Sequence, residues 1–384
     1  MDSKLRAGVI GIGIMGAAHA RQLAGNPHTT LVAVADHLAE RAERLATELG
    51  AEAYQDYQAM LGEERLDVVV VATPDPFHRQ PIEAAAQAAV PTIITEKPMA
   101  TTVEDSEAIM EAVRSSGSRI ITNYSNRTSP LDIAAHYVIQ NGLLGQVTYG
   151  DVRVEDNISV PSSMWGTRSR EWAAGSSSAH FLLSHVSDLM RWHFAPAEVT
   201  GVYAISQARI LGYTPDVYDG YLYFDNGLKV RVKADWAKEM DELVTFDLTF
   251  TGSEGSLIYT KLAGFGGSAG LRANVSASLS LDDLARCQET LRQKGLRSRL
   301  IRRTSRPDVG DSFKPGLELY PTDQKQGWKN LLDYAIEAVV EDKDVPASWE
   351  GNGSLPWGDE GLKATRIVCA IMESARQAKE IAVR

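Results

Sequence analysis

Gly11-Ile12-Gly13-Ile14-Met15-Gly16 follows a short apolar run and opens a helical pattern, the context in which a glycine triplet of this spacing has a mechanism. Gly11 permits a tight turn, Gly13 lets backbone approach a pyrophosphate, and Gly16 lets helix lie close on strand. The helix N-terminus adds amides and a partial positive charge. Asp36 stands 20 residues beyond Gly16, at the end of the next apolar run, where a carboxylate can bind both ribose hydroxyls. The same charge repels a 2′-phosphate, so NAD is expected as the cofactor and NADP is disfavoured. Thr73-Pro74-Asp75-Pro76-Phe77-His78 and Glu96-Lys97-Pro98 lie just past two later apolar runs, at carboxyl ends of strands, where open α/β sheets bind their ligands. Gly11 to Gly16 and Asp36 are expected to bind the cofactor, and Thr73, Pro74, His78, Glu96 and Lys97 stand at the strand ends. An ammonium partly withdrawn from water beside a cofactor can stabilise a developing alkoxide and relay its proton.

Through the glycine motif, Thr73-Pro74, His78 and above all Glu96-Lys97-Pro98, the chain resembles the Gfo/Idh/MocA oxidoreductases, named for glucose-fructose oxidoreductase and inositol dehydrogenase. The resemblance covers residues 1 to about 130, and more loosely Arg127 to Pro130, Gly142 to Gly145, His185 to Asp188 and Gly361 to Ala375. It implies that Thr73, Pro74, His78, Glu96 and Lys97 join Gly11 to Gly16 and Asp36 at the cofactor. Lys97 would contact the nicotinamide ribose and the reacting hydroxyl, Glu96 would orient its neighbours, and the Lys97–Pro98 bond would be cis. It also implies a catalytic His185, with Asp188 three residues on and sharing its helix face. The family's Asp four residues before that His is here Phe181. His180 is one residue further back and is the third catalytic candidate, although five residues of α-helix would set it about 140° around from His185. Asn123, Tyr124 and Arg127, past the last strand of the first domain, are expected at the substrate. So are Trp165 and Arg168, in an aromatic-basic loop with Arg170 and Trp172 that suits a sugar face, and Asp188.

These side chains need elements to hold them. Strand patterns at Ala7 to Ile10, Leu31 to Ala35, Val68 to Ala72, Thr92 to Thr95 and Arg119 to Thr122 alternate with helical ones, which predicts an α/β Rossmann domain over residues 1–125. Beyond it, a helix leads into alternating strands and an Asn226-Gly227 hairpin. Residues 126–384 therefore read as an α+β domain with a large open, mainly antiparallel sheet, serving substrate and oligomerisation, whose C-terminal helices pack back on the first domain. The insertion-like segment 261–320 is Gly/Ser-rich and then basic (Arg292, Lys294, Arg297, Arg299, Arg302, Arg303, Arg306) and reads as a solvated loop, with an anion-binding arm as the alternative. An uncovered apolar sheet face would not stay bare, so a homodimer or homotetramer is expected.

With 384 residues, 44% apolar and 23% charged, the chain is an ordinary globular one, and disordered or fibrous classes are excluded. A net charge of −11 disfavours nucleic acid as a partner. Cys287 and Cys369 cannot build a disulfide framework, which fits a reducing compartment, and a cytoplasmic location is expected. Lys4, Arg6 and the stretch Ala7 to Ala18 imitate a secretory signal, but four glycines interrupt it; no run reaches the roughly 18 apolar residues of a membrane span. The expected activity is NAD-dependent oxidation of a secondary hydroxyl of a sugar, glycoside or cyclitol, with no metal. Two alternatives share the fold: an NAD-dependent glycosidase working by transient oxidation, and a nucleotide-sensing regulator without turnover.

Overall fold

Val68–Val71 is buried along its whole length, and so is Thr92–Thr95; strands of that kind need cover on both faces. In the computed structural model, which describes residues 4–260, 270–303, 314–321 and 329–383, they are interior neighbours in a six-stranded sheet. Its strands are β1 (Leu5–Ile10), β2 (Thr29–Ala35), β3 (Glu52–Tyr54), β4 (Val68–Val71), β5 (Thr92–Thr95) and β6 (Arg119–Thr122). All pairs are parallel and the order is β3-β2-β1-β4-β5-β6. Helices α1 (Ile14–Gly25), α2 (Ala39–Leu49), α3 (Tyr57–Glu63), α4 (Arg79–Gln87) and α5 (Val103–Ser116) fall between the strands. The order reverses between β1 and β4, which opens a crevice outside the carboxyl ends of the strands.

The chain divides into two compact units, Met1–Ser125 with Lys329–Cys369, and Asn126–Trp328 with Ala370–Arg384. The second carries a ten-stranded sheet built from β7 (Val147–Asn157), β8 (Val199–Gln207), β9 (Val217–Phe224), β10 (Lys229–Lys238), β11 (Val244–Gly252), β12 (Ser256–Thr260), β13 (Gly270–Asn274), β14 (Leu296–Arg303), β15 (Lys314–Pro321) and β16 (Ile381–Ala382). Every pair is antiparallel except β7 with β10, and the edges are β14 and β16. Its helices are α6 (Pro130–Gln140), α7 (Ser159–Ser162), α8 (Thr167–Gly175), α9 (Ser184–Phe194) and α10 (Leu281–Gln293). The remaining helices are α11 (Leu331–Val340), in the first unit, and α12 (Glu360–Gln377), within which the chain passes from one unit to the other.

One expectation changes here. The segment read as a solvated loop holds β13, α10, β14 and β15, which extend the sheet; Arg306 lies outside the described residues. A Ser280–Asp283 capping box starts α10, and Leu284, Cys287 and Leu291 bury its inner stripe. Arg297 and Arg299 alternate along β14, so the edge strand is charged, which discourages pairing with another chain. The outer face of the sheet is mixed, with Tyr149, Tyr203, Ile205 and Ile258 exposed among ion pairs. Arg231 bonds Asp219 at 2.6 Å and Asp151 at 3.1 Å, Lys233 bonds both Glu155 and Asp235 at 2.8 Å, and Glu318 takes Arg272 and Arg299.

The inner face packs Val152, Val154, Val232, Leu248 and Phe250. Inside this core lies an ion pair, Arg127 with Asp188, both 0% exposed, with Nε 2.9 Å and Nη2 2.5 Å from the two carboxylate oxygens. Removing one partner strands a buried charge. Arg127→Met should lower the unfolding free energy by about 3–5 kcal/mol in urea titrations, and adding Asp188→Leu should recover most of the loss. A single variant as stable as the parent would contradict this account of the pair.

Candidate active site

Gly11 adopts φ +88°, and a Cβ there would stand 2.7 Å from the Ala72 carbonyl oxygen. A Cβ at Gly16 would stand 1.8 Å from the Gly11 carbonyl oxygen, so hydrogen alone fits where α1 crosses the turn. Gly13 differs: a Cβ there would meet nothing within 4 Å, and as N-cap of α1 it brings no side chain to the free amides. Open ground beside an uncapped helix N-terminus suits a pyrophosphate. Ile14 and Met15 flank it, 64% and 48% exposed. Asp36, buried at the end of β2, accepts the Ile12 amide at 2.8 Å and the Leu38 amide at 2.9 Å, tying the two turns together. Arg41 reaches to 4.0 Å from the same carboxylate. The residues present fit a dinucleotide.

The loops after β4 and β5 are joined by His78. Its buried ring has one nitrogen 2.8 Å from the Thr73 carbonyl oxygen and the other 2.8 Å from that of Pro98. Expected at the cofactor, His78 serves in this structure as a clasp between main chains. Thr73 donates its hydroxyl to the Phe77 carbonyl, closing the turn that Pro74 begins. The Lys97–Pro98 bond is cis and Lys97 is half-buried.

Beside Lys97 lies a group that the sequence reading only half found. Glu96 is buried, and its carboxylate accepts the His19 ring nitrogen at 2.6 Å, the Asn123 amide at 2.7 Å and the Lys97 main-chain N–H at 3.2 Å. Burial alone would raise its pKa, but the hydrogen bonds from His19 and Asn123 and the charge of Lys97 outweigh burial and hold it below the usual carboxylate range. Asn123, expected at the substrate, thus spends its amide on Glu96. His19 went unrecognised, although its place three residues past Gly16 on α1 puts it on the face that Gly16 lays against the sheet. Tyr124 is fully buried, so its ring offers no surface to a substrate here.

The second unit holds His185 on the first turn of α9, half-buried. Its expected partner Asp188 has Arg127 on its carboxylate, and Arg127, expected at the substrate, is enclosed with it. Ala179–Leu183 is π-helical, not α-helical. An i→i+5 repeat brings residues five apart nearer one face, so the angle expected between His180 and His185 is overestimated. Phe181 packs in an aromatic cluster, 4.8 Å from Trp172 and 6.1 Å from Trp236, ring centre to ring centre. Trp165 joins it at 5.1 Å from Trp172. The loop expected around Trp165 and Arg168 is largely helix α8, on which Arg168 is exposed. Beside α8 runs an open groove of about 650 Å³ lined by Ser162, Thr167, Arg170, Glu171 and Tyr213. Among the described residues no group of three or more His, Cys, Asp or Glu could hold a metal ion, and no helix is long and apolar enough to cross a membrane.

Because Glu96 is held below its ordinary value of 4.5, the folded state gains stability from it above that pH and loses it as pH falls through the lowered value. Acid titration of unfolding should show this component, and Glu96→Gln should flatten it; equal acid sensitivity in both proteins would count against an ionised, hydrogen-bonded Glu96.

Comparison with known proteins extends this picture. Residues 5–124 match the model of the Gfo/Idh/MocA oxidoreductase family, NAD-binding Rossmann fold, and residues 133–258 match the Gfo/Idh/MocA C-terminal domain. Inositol 2-dehydrogenase of Acidothermus cellulolyticus is 29% identical over 99% of this chain and 95% of its own. The scyllo-inositol 2-dehydrogenase (NAD(+)) of Bacillus subtilis is 33% identical, over 39% of this chain and 44% of its own. Among solved structures, levoglucosan dehydrogenase in complex with NADH and levoglucosan superposes with a TM-score of 0.73 at 22% identity, covering 99% of this chain and 100% of that one. The scyllo-inositol dehydrogenase of Lactobacillus casei gives 0.70 at 16% identity over 99% of both. With both of its parts matched, in the order in which its glycine turn and its open sheet occur, the chain belongs to the Gfo/Idh/MocA oxidoreductases and carries their NAD-binding Rossmann fold.

Proposed function

We propose that the protein is an NAD-dependent dehydrogenase that oxidises a secondary hydroxyl of a cyclitol or sugar to the ketone. The observation that carries this reading is Lys97, placed by the Glu96 network at the carboxyl end of β5, in a sheet whose first turn is built for a dinucleotide. The named relatives that act on inositols and levoglucosan support the substrate class. NAD, when bound, supplies the carbon that accepts hydride from the carbinol C–H.

The remaining work falls to this chain. His185 takes the hydroxyl proton, so the carbinol loses one hydride and one proton and becomes a carbonyl. Lys97 donates a hydrogen bond to the oxygen as negative charge develops there, an interaction stronger in the transition state than in the alcohol. Glu96 keeps Lys97 in place through its main chain and balances its charge. His180 is the second imidazole of the site. Asp36 binds the ribose hydroxyls and disfavours a 2′-phosphate. Phe181, apolar where the family carries an acid, favours one other reading, transient oxidation that frees a glycosidic bond; release of sugar without net NADH would identify it.

Absorbance of NADH across a panel of inositols, sugars and glycosides reads the activity. Lys97→Ala and His185→Ala should each lower kcat by roughly 10²-fold or more while NAD binding stays within a few-fold; parental rates in either variant would overturn the assignment. Asp36→Ser removes the repulsive charge and leaves Arg41 beside the ribose position, so kcat/KM should shift toward NADP by about tenfold or more. Unchanged preference would place cofactor discrimination elsewhere.

A further inference from the structure

His180 does not stand alone in its turn. The Ser177 hydroxyl oxygen lies 3.0 Å from His180 Nδ1 and accepts the His180 main-chain N–H at 3.1 Å, and both side chains are buried. A serine hydroxyl has one proton to give. Its oxygen already accepts the amide, and its other neighbour, the Met372 sulfur at 3.8 Å, is a weak acceptor. An unprotonated ring nitrogen is the better acceptor, which favours the arrangement in which the hydroxyl proton points to Nδ1. A neutral imidazole that accepts at Nδ1 carries its own proton on Nε2.

We propose that Ser177 is a positioning residue that fixes His180 as the Nε2–H tautomer, making it a hydrogen-bond donor beside the base His185. This rests on the reading of His180 as a site residue given above. One imidazole then takes the substrate proton while the other donates to the substrate oxygen. Two neutral histidines of free tautomer could not divide the work reliably, since either ring could present a lone pair or a proton. The π turn bears on this directly: it narrows the angle between positions 180 and 185 that an α-helix would open. Phe181, taken up by Trp172 and Trp236, leaves His180 as the polar neighbour on that turn.

Two-bond proton–nitrogen spectra of the full-length protein with ¹⁵N-labelled histidine read the state of each ring nitrogen without any need for turnover. The His180 signals are those missing from His180→Gln. At neutral pH they should show an unprotonated Nδ1 and a protonated Nε2. Ser177→Ala should convert this into a tautomer mixture, and Ser177→Thr, which keeps the hydroxyl, should restore it. In the same variants kcat should fall roughly tenfold for alanine, less than outright loss of an acid–base group costs, and return with threonine. A parent protein with Nδ1–H, or an alanine variant with an unchanged nitrogen pattern, overturns the proposal. A changed pattern with unchanged turnover instead overturns the role given to His180 in the reaction, so the two failures remain distinct.

Discussion

An ionised carboxylate without water is the constraint on which the first unit's site depends. Removing a carboxylate from solvent is expensive unless hydrogen bonds replace its hydration, and Glu96 finds three donors. They come from three places: His19 on the glycine-turn helix, Asn123 just past β6, and the amide of Lys97 itself. Because the carboxylate cannot lose a donor cheaply, these segments keep one geometry, and the ammonium-bearing residue inherits it. The His78 ring sits between neutral partners, one nitrogen 2.8 Å from the Thr73 carbonyl oxygen and the other 2.8 Å from that of Pro98.

The second unit solves a different problem. Phe181 stands four residues before His185, and a phenyl ring gains more from apolar neighbours than from a polar cleft. It finds Trp172 and Trp236, and the indole of Trp236 in turn donates to Asp156 at 3.1 Å. One turn later the helix regains its α repeat with Arg127 clamped on Asp188, which fixes the element carrying His185. Aromatic packing of the π turn through Phe181 and an enclosed ion pair on the turn after it hold the segment that carries the two histidines.

Some of this was legible in the residues alone. The glycine spacing, the strand before it and Asp36 beyond it specify a dinucleotide turn because each glycine answers a local steric demand, and local demands are written locally. The parallel sheet followed from unbroken apolar runs, and the hairpin at Asn226-Gly227 from turn chemistry. The strand β14 was hidden because arginines at alternate positions resemble a solvated segment, and their pairing with a glutamate on β15 is not a neighbour relation along the chain. The ion pairs on the outer face of the large sheet escaped for the same reason: alternation was visible, but ladder partners were not.

Sequence, then, determined which residue types stand at strand ends and which turns need glycine. Tertiary structure decided which of those residues are spent on one another: Asn123 and His19 on Glu96, Arg127 on Asp188, His78 on two carbonyls, Ser177 on His180. It also decided that one turn before His185 is π-helical. Steric demands and apolar periodicity act over a few residues and leave a linear trace; a hydrogen bond between groups far apart in the chain depends on register and burial, which exist only once the chain has folded.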